Sequence, residues 1–436
     1  MFDVEKLYAD RIGGEKFGKD TTVYKFAKIK RAKQAFAKAH PDISIIDLGV
    51  GEHDGIAPEE VRERLKIEVD SLANRGYADN GILEFQQAAA AYLNNMFGID
   101  IPTNESSVME DGKKILGADD YIIHGIGSKG ILSLLPLTIV NPGDTTIMTS
   151  PGYPVLGTHT KYLDGKVVKL PLKEENGFLP DLKELEEHAK GESKVKIVCV
   201  NYPNNPTGAD APLVFWEDLV KLAHEHNFVI VHDAAYSGLK YTGKPTSPFQ
   251  VDGGLECSLG AYSLSKAFNM IGYRIAFVAG NPRLIAAYGN VKDNSDSGQA
   301  KMIQRASIAA LENPEFTEKI THKYKRRLEY LVEVLSKHGF DAKMPDGTFF
   351  LYTKAPTGTK DGKVFSNAEE ASQHMLLEQG ISVVPWDDVG NYIRFSATFE
   401  NGNPRSQMHL IGCRSSDREI INELDKRLEK LQLRFD

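Results

Sequence analysis

Cysteine is scarce in this sequence. Its 436 residues include only three cysteines, Cys199, Cys257 and Cys413. An odd number at such wide spacing fits neither a disulfide framework nor a zinc site, and we expect no bound metal. The chain should therefore fold in a reducing compartment, which predicts a cytoplasmic location.

Long hydrophobic runs are also missing. The longest apolar stretch, residues 131–140, is interrupted by Pro136 and is far shorter than the roughly 20 residues that cross a bilayer. Acidic residues near the N-terminus, Asp3, Glu5 and Asp10, stand where a signal peptide would have an apolar segment. We therefore expect a soluble protein with no membrane partner.

Positive charge is not in excess either. The 52 Lys and Arg residues are outnumbered by 60 Asp and Glu residues, which gives a net charge of -8. Nucleic-acid-binding proteins usually carry a basic surface, so nucleic acid is not an expected partner. The remaining composition is that of an ordinary globular protein, and the length allows two or three domains at roughly 150 residues each.

Between about residues 120 and 280, short apolar runs alternate with longer segments of helical period. The runs lie at 120–126, Thr145–Ser150, 196–201, 228–233, Ser258–Ser263 and 274–280. This alternation predicts a mostly parallel sheet covered by helices on both faces. Ligands bind beyond the carboxyl ends of the strands in such a sheet, so we expect the functional residues there.

The pattern changes after about residue 312 and predicts a smaller α+β domain. Its elements are a helix at 314–338, strands around 347–354, 381–385 and 392–397, and a charged helix at 416–434. We therefore divide the chain into an N-terminal arm with part of the small domain at 1–50, a large α/β domain at 51–311 and the small domain at 312–436. The arm should pack against the small domain or against a second subunit.

A lysine follows the apolar run that ends at Ser263, in the sequence Ser-Leu-Ser-Lys-Ala-Phe-Asn. At a strand end, among hydroxyl and small side chains, the Lys266 amine would be partly desolvated, which lowers its pKa and makes it a better nucleophile. Taken alone, any one of the chain's lysines is far more often non-catalytic. Here, however, Arg274 lies nearby and can bind a phosphate through its planar guanidinium, with Ser263 and Ser265 as further donors.

Asp233 ends the strongly apolar run Val-Ile-Val-His-Asp, and Tyr236 lies shortly after it. A carboxylate at a strand end can bind a cationic ring nitrogen, and a tyrosine hydroxyl can donate to an oxyanion. The alternative is that Asp233 is the N-cap of a helix and Tyr236 a packed side chain, which is the commoner arrangement for either residue alone.

Two turns offer further donors. In the sequence Asn-Tyr-Pro-Asn-Asn-Pro-Thr-Gly, the Asn205 amide can donate a hydrogen bond, although such a sequence is also an ordinary turn. The glycine-rich segment at 125–130, with Gly127, Ser128 and Lys129, lies between a strand and a helix. Backbone amides in such a place bind phosphate, but a glycine-rich turn on its own is weak support.

Two more side chains are suited to ring and carboxylate binding. Tyr153, in Pro-Gly-Tyr-Pro after a strand, can stack on an aromatic ring, although tyrosines are common in turns. Arg394 lies in the strand Tyr-Ile-Arg-Phe-Ser and can bind a carboxylate with two parallel hydrogen bonds. The alternative for Arg394 is exposure to solvent on an edge strand.

Pyridoxal phosphate (PLP) requires this combination of groups. It needs a lysine amine, an acid at its pyridine nitrogen, donors to its phenolate oxygen, a phosphate-binding turn and a side chain that stacks on its ring. The residues that meet these requirements in turn are Lys266, Asp233, Tyr236 with Asn205, the turn at 125–130 with Arg274, and Tyr153. The sequence therefore predicts a PLP enzyme in which Lys266 binds the cofactor as a Schiff base.

The order and spacing of these segments resemble those of the class I and II aminotransferases, PLP enzymes of fold type I, along nearly the whole chain. The likeness rests on Asn-Pro-Thr-Gly, on Asp233 with Tyr236, on Ser-Leu-Ser-Lys-Ala-Phe followed by Gly-Tyr-Arg, and on Tyr-Ile-Arg-Phe-Ser. The resemblance implies a mostly parallel seven-stranded sheet, a smaller α+β domain and a homodimer with active sites at the subunit interface. It also implies that Tyr77 reaches the neighbouring subunit's cofactor phosphate.

Within this family the chain is most similar to the LL-diaminopimelate aminotransferases. The segments that carry this likeness are 24–29, 47–51, 75–77, 128–129 and 292–298. The resemblance implies that Gly51, Tyr24 and Asn294 bind the substrate, with Tyr24 and Asn294 reaching across the dimer. The stretch that follows Tyr77 is one residue shorter than usual, which leaves two alternatives open for Asp79. Either it replaces the acid that binds the substrate's distal ammonium group, or it does not.

The implied reaction is a transamination between LL-diaminopimelate and 2-oxoglutarate, in lysine and cell-wall precursor synthesis. Lys266 would move the proton, Asp233 and Tyr236 would tune the cofactor, and Arg394 with Asn205 would bind the substrate. Alternatives are an aminotransferase for aspartate, aromatic amino acids or alanine, a PLP-dependent lyase, and a non-catalytic PLP-binding regulator. The sequence disfavours the regulator because it has no basic helix-turn-helix extension.

Overall fold

The computed structural model describes residues 2–19, 25–191, 194–399 and 414–436 of the chain. The α-helices are α1 (Lys25–Ala39), α2 (Glu59–Val69), α3 (Leu83–Phe97), α4 (Ala118–Tyr121), α5 (Gly127–Ile139), α6 (Val155–Tyr162), α7 (Leu182–Lys190), α8 (Leu213–His226), α9 (Gly254–Cys257), α10 (Leu264–Ala267), α11 (Pro282–Asp293), α12 (Lys301–Leu311), α13 (Glu315–Lys337), α14 (Ala368–Gln379) and α15 (Arg414–Leu431). The strands are β1 (Ile46–Asp47), β2 (Ser107–Val108), β3 (Lys114–Ile115), β4 (Ile122–Gly125), β5 (Thr145–Ser150), β6 (Lys166–Pro171), β7 (Val195–Asn201), β8 (Val229–Asp233), β9 (Ser258–Ser263), β10 (Ala276–Gly280), β11 (Phe350–Lys354), β12 (Gly358–Thr359), β13 (Ile381–Ser382), β14 (Val384–Trp386), β15 (Tyr392–Ser396) and β16 (Leu433–Arg434). Short 3-10 helices lie at Val4–Leu7, Asp10–Ile12, Gly14–Lys16, Leu72–Asn74, Glu174–Asn176, Pro248–Gln250 and Ile271–Tyr273.

Seven strands form the large sheet, in the order β4-β10-β9-β8-β7-β5-β6. Neighbouring strands are parallel except at β10, which runs antiparallel to both β4 and β9. Each of the six predicted runs contributes a strand, so the predicted mostly parallel sheet is confirmed. The architecture is that of fold type I, with the smaller α+β part built mainly from the C-terminal third.

The sequence did not predict β6, and it placed the start of β4 too early. β6 is an edge strand of sequence Lys-Val-Val-Lys-Leu-Pro in which only Leu170 is fully buried, so its apolar signal is weak. Residues 120–121 belong to α4, where the Asp120 side chain accepts a hydrogen bond from the Gly117 backbone at 3.1 Å. That local bond favours a helical turn over an earlier start of the strand.

Helices cover both faces of the large sheet, as predicted. Successive residues of a strand point to opposite faces, and β10 shows this directly. Phe277 and Ala279 pack in a cluster with residues of α3 and α12, whereas Ala276 and Val278 pack with residues of α5 and α11. The predicted apolar stretch at 131–140 is therefore largely a core helix.

A second, smaller sheet has the order β11-β15-β14 and is antiparallel throughout. β1 pairs in parallel with β13, with Ile46 opposite Ile381, and Leu48 is buried in the same cluster as Phe395. At residues 46–48 the N-terminal arm thus packs against the small domain, which was one of the two expected arrangements. The domain boundaries at residues 50 and 311 stay predictions.

The C-terminal helix ends earlier than predicted. α15 stops at Leu431, Gln432 adopts a positive φ of 45°, and β16 then pairs with β12. Within the part of the chain that the structure describes, no helix combines the length and apolar character needed to cross a bilayer. Cys199 and Cys257 are free thiols, and Cys413 lies outside the described residues.

Candidate active site

Polar residues meet at the carboxyl ends of β7, β8 and β9. Asn201 lies opposite Asp233, and Asp233 lies opposite Ala261 of β9. Asn201 Nδ2 donates a hydrogen bond to the Asp233 carbonyl oxygen at 2.7 Å, which joins the two strand ends. The candidate site therefore lies where the sequence predicts it.

Lys266 lies in α10, directly after β9. Its Nζ donates to the Gly51 carbonyl oxygen at 2.6 Å and lies 5.5 Å from the centre of the Phe349 ring. Burial lowers the pKa of Lys266 to about 8; the Glu52 carboxylate opposes this shift, and the Arg394 charge adds to it. An appreciable fraction of the amine is therefore neutral and nucleophilic near neutral pH.

Ser263 and Ser265 flank this lysine and are both buried. Ser263 is the N-cap of α10, and its Oγ accepts a hydrogen bond from the Ser265 backbone N–H at 3.2 Å. The cap orients the first turn of the helix that carries Lys266.

Asp233 is a buried carboxylate that forms no ion pair with any of the described residues. Its Oδ1 accepts a hydrogen bond from the Ala235 backbone N–H at 3.4 Å. Burial raises the pKa of Asp233 to about 7, and the bond from Ala235 opposes the rise. Residues 234–238 form turns and no helix, so the alternative of a helix N-cap is wrong.

Tyr236 packs between aromatic rings beside this carboxylate. Its ring centre lies 5.7 Å from those of both Phe349 and Phe350. Burial raises the pKa of the Tyr236 hydroxyl; the Arg394 charge opposes the rise, and Tyr153 adds to it. The hydroxyl therefore stays protonated at neutral pH and can donate. Tyr153 itself lies after β5 and is 36% exposed.

Asn205 joins the turn after β7 to the small sheet. Its backbone N–H donates to Asn201 Oδ1 at 2.8 Å, which fixes the turn against the strand end. Its side-chain Oδ1 accepts a hydrogen bond from Arg394 Nη1 at 2.8 Å. Because a guanidinium can only donate, this bond sets the orientation of the amide. The amide Nδ2, which has no partner among the described residues, is then available as a donor.

Arg394 lies in the central strand of the small sheet and is only 3% exposed, so the alternative of an exposed edge-strand residue is wrong. Its Nη2 donates to the Gly49 carbonyl oxygen at 3.0 Å, and its guanidinium carbon lies 4.0 Å from the centre of the Phe350 ring. Its Nε is buried without a hydrogen-bond partner. Burial lowers the pKa of Arg394 to about 10, at which the group is still cationic near neutral pH. Since no described carboxylate pairs with it, Arg394 is suited to bind an anion.

The glycine-rich turn and Arg274 meet at the start of α5. A Cβ atom placed on Gly127 would lie 2.2 Å from Arg274 Nη2, so only glycine allows this approach, and its φ of +74° is also unfavourable for other residues. Arg274 Nη1 donates to the Ile271 carbonyl oxygen at 3.0 Å. Ser128 is partly exposed and Lys129 exposed on the same turn. Backbone amides and a cation thus converge on one exposed place, as phosphate binding requires.

The remaining residues predicted for the site do not meet the others within this chain. Tyr77 is 78% exposed, and Asp79 and Asn294 are also exposed. Among the described residues, no hydrogen bond or ring contact joins these three to Lys266. Tyr24 lies outside the described residues.

Sequence reasoning missed three residues of the site. Phe349 lies beside Lys266, and Phe350 lies under Arg394. His53 is partly buried with its ring centre 5.0 Å from that of Phe349, and its Nδ1 is 2.8 Å from the Tyr324 hydroxyl. Burial and the Lys266 charge lower the pKa of His53, so its imidazole is neutral. The only signals in the sequence were the Phe-Phe pair at the start of a strand and the position of His53 soon after Gly51.

The family model described as aminotransferase class I and II matches residues 43–403, which is most of the chain. The chain belongs to this family. Among the curated relatives of this aminotransferase, the LL-diaminopimelate aminotransferase of Methanocaldococcus jannaschii is 46% identical, with 99% of each chain covered. The family predicted from the sequence is therefore confirmed.

Solved structures agree with the fold of the aminotransferase. BacF from Bacillus subtilis, solved with bound substrate, matches with a TM-score of 0.80 at 27% identity, and 98% of each chain is covered. A variant of the Thermus thermophilus aspartate aminotransferase matches with a TM-score of 0.79 at 25% identity, over 96% of this chain and 99% of that one. The fold type I architecture thus holds along nearly the whole length.

Proposed function

We propose that this aminotransferase uses PLP to move an amino group between LL-diaminopimelate and 2-oxoglutarate. The observation that carries the proposal is a pair of contacts. The Lys266 amine contacts the Gly51 carbonyl oxygen, and the buried Arg394 guanidinium contacts the Gly49 carbonyl oxygen. One cation has an amine suited to nucleophilic attack, and the other has a guanidinium suited to a carboxylate. The identity to diaminopimelate aminotransferases supports the choice of substrate.

The residues of the site fit PLP. Asp233 is a buried carboxylate with no cation beside it among the described residues, and a protonated pyridine nitrogen would supply one. Arg274 and the backbone at Gly127 would bind the phosphate. Asn205 Nδ2 and the Tyr236 hydroxyl would donate to the phenolate oxygen. Tyr153 is expected to lie at the ring face. The residues expected to assist near the phosphate are Ser128, Lys129, Ser263 and Ser265.

When bound, PLP supplies an electron-poor ring that stabilises negative charge at the substrate's α-carbon. Lys266 would act as the base, because its neutral Nζ could accept the proton from the substrate's α-carbon and hold it for return. The lowered pKa of Lys266 suits this step, because a base works best when its pKa lies near the working pH. Asp233 keeps the pyridine nitrogen protonated throughout.

Arg394 would bind the substrate's α-carboxylate with two parallel hydrogen bonds. Its present acceptors, Asn205 Oδ1 and the Gly49 carbonyl, are neutral, so a carboxylate is the stronger partner. The aromatic ring of Phe350 fixes one face of the guanidinium. The substrate would therefore be held with its α-carbon at a fixed position relative to Lys266.

We further propose a homodimer with shared active sites, in the cytoplasm, that serves lysine and cell-wall precursor synthesis. The exposure of Tyr77, Asp79 and Asn294 supports this arrangement, since each would contact the neighbouring subunit's ligand. Tyr77 would bind the cofactor phosphate, and Asn294, Asp79, Tyr24 and Gly51 would bind the substrate. For Asp79 the expected partner is the distal ammonium group.

A panel of amino donors tests the proposed substrate. Purified enzyme is supplied with 2-oxoglutarate and with LL-diaminopimelate, aspartate, tyrosine or alanine, and glutamate formation is measured. We expect the highest kcat/KM with LL-diaminopimelate. A preference for aspartate would instead favour the aspartate alternative. Release of pyruvate or ammonia without glutamate would indicate a lyase, and a bound cofactor without turnover of any donor would indicate a regulator.

A further inference from the structure

Lys292 is a fully buried lysine that the proposed mechanism does not use. It lies in the last turn of α11 and is 1% exposed. Its Nζ donates to the Asp79 carbonyl oxygen at 3.2 Å and forms an ion pair with Asp296. Removing an ammonium group from water is costly unless its donors find acceptors. Here the acceptors belong to two different segments, 77–81 and 293–298.

These two segments contact each other at two further places. Asn80 Nδ2 donates to Asp293 Oδ1 at 2.9 Å. A Cβ atom on Gly298 would lie 2.6 Å from the Asp79 carbonyl oxygen, so the backbones approach as closely as glycine allows. Asp296 Oδ1 also accepts from the Gly298 backbone N–H at 2.8 Å and thus connects Lys292 to the turn. Lys292 is the charged centre of this contact.

We propose that Lys292 is a positioning residue that fixes the segment of Tyr77 and Asp79 against the segment of Asn294. The inference rests on the proposed function, in which these exposed side chains act on the neighbouring subunit. Among the described residues, the hydrogen-bond partners of Lys292 Nζ are the Asp79 backbone and Asp296, so Lys292 acts through the segment. Without it, the exposed side chains would be held less firmly before the partner subunit's ligands arrive.

The segment also continues into the turn of Arg274. Gln299 Nε2 donates to the carbonyl oxygens of Tyr273 at 2.9 Å and of Arg274 at 2.8 Å. Its backbone N–H donates to Nε2 of the buried His124 at 2.8 Å. Lys292 is therefore connected through these bonds to Arg274, which would bind the phosphate in its own chain. It is also connected to the segment of Tyr77, which would serve the neighbouring chain.

Two variants separate positioning from simple stability. Lys292→Met leaves Asp296 without its cation and should lower the free energy of unfolding. Lys292→Met combined with Asp296→Asn removes both charges and should restore most of that stability, but the bond to Asp79 stays lost. In both variants we expect the Kd of PLP for the apoenzyme to rise about tenfold. We expect the ratio of the KM for LL-diaminopimelate to the KM for glutamate to rise about tenfold as well. Lys114→Met with Asp120→Asn, which removes an ion pair between β3 and α4, is the control and should change neither.

If the double variant recovers its stability and also normal cofactor affinity and KM, Lys292 is merely structural and the proposal is overturned. A wild-type enzyme that does not use LL-diaminopimelate would contradict the proposed function instead. In that case the Kd of PLP still tests Lys292, because the cofactor measurement does not depend on the substrate.

Mixed dimers test whether Lys292 acts across the interface. The Lys292→Met chain and a Lys266→Ala chain are co-expressed with different tags, and dimers that carry both tags are purified. One of their two sites combines an intact Lys266 with an intact neighbouring segment. We expect these dimers to be more active than either parent variant. If Lys292 acted only within its own chain, both sites would be defective and no recovery would be observed, which would overturn the proposal.

Discussion

Arg394 Nη1 and Asn205 Oδ1 are joined by a hydrogen bond of 2.8 Å, although 189 positions separate the two residues in the chain. The bond connects the small sheet to the turn that follows β7. It also orients the Asn205 amide, because the guanidinium can donate only to the oxygen end. The carboxylate-binding group and a donor for the cofactor are thereby placed side by side.

This relationship predicts that Asn205→Asp is more harmful than Asn205→Ala, although aspartate has nearly the shape of asparagine. The new carboxylate would pair with Arg394 and compete with the substrate's α-carboxylate, whereas alanine only removes a bond. We expect the aspartate variant to lower kcat/KM for the donor at least about tenfold below the alanine variant. Steady-state kinetics of both variants at neutral pH give the comparison. Equal values, or a more active aspartate variant, would contradict this orientation of the amide.

Asp233 should make the apoenzyme less stable as the pH rises. Its pKa is about 7 in the folded chain and 3.8 in the unfolded one, so between these values the folded state binds one more proton. Stability therefore falls with rising pH across this range, relative to Asp233→Asn, which cannot titrate. Thermal unfolding of both apoproteins from pH 4 to pH 8 measures the difference. With PLP bound, the wild type should become the more stable of the two, and an unchanged difference would argue against a cationic partner at Asp233.

How much the sequence could predict differs between local and distant features. The strand ends that carry Asp233 and Lys266 were predictable because each follows a short apolar run. Strand β6 was not, because lysines interrupt its exposed edge. The burial of Arg394 depends on β15 being the central strand of its sheet, and strand order is set by contacts that no local pattern contains.

Contacts between distant segments were equally hidden. Lys266 and Gly51 lie 215 positions apart, and nothing near Gly51 indicates that its carbonyl faces an amine. The sequence suggested a role for Gly51 through a family resemblance only. Among the described residues, none forms a salt bridge with Asp233, and this too is a property of the packed structure that no single segment shows.

The approach of Arg274 to Gly127 predicts a sharp difference between two glycine variants. Gly127→Ala would place a methyl group against the guanidinium and would also strain a positive φ. We expect the Kd of PLP for the apoenzyme to rise about tenfold or more, as binding titrations would show. Gly143→Ala, at a residue outside the turn with a similarly positive φ of +85° and open space around its Cα, is the control and should bind PLP normally. Similar affinities for the two variants would exclude this turn from phosphate binding.

The Lys266 amine should govern how the rate of cofactor attachment depends on pH. Only the neutral amine is nucleophilic, so the rate should rise with pH and level off above about 8. Glu52→Gln should move this midpoint to lower pH, because the Glu52 carboxylate favours the charged amine. Stopped-flow absorbance with apoenzyme and PLP measures both curves. A midpoint near 10.5, the ordinary value for lysine, would show that the amine is not desolvated.

The assignment of Lys266 as the residue that binds PLP is tested most directly by borohydride reduction of the purified holoenzyme. Reduction makes the bond between the cofactor and its lysine permanent, and peptide mass mapping then locates it. We predict that the modification is found on the peptide that contains Lys266 and that Lys266→Ala protein carries none. Modification of a different lysine, or an unmodified wild-type protein that still transaminates, would contradict the account.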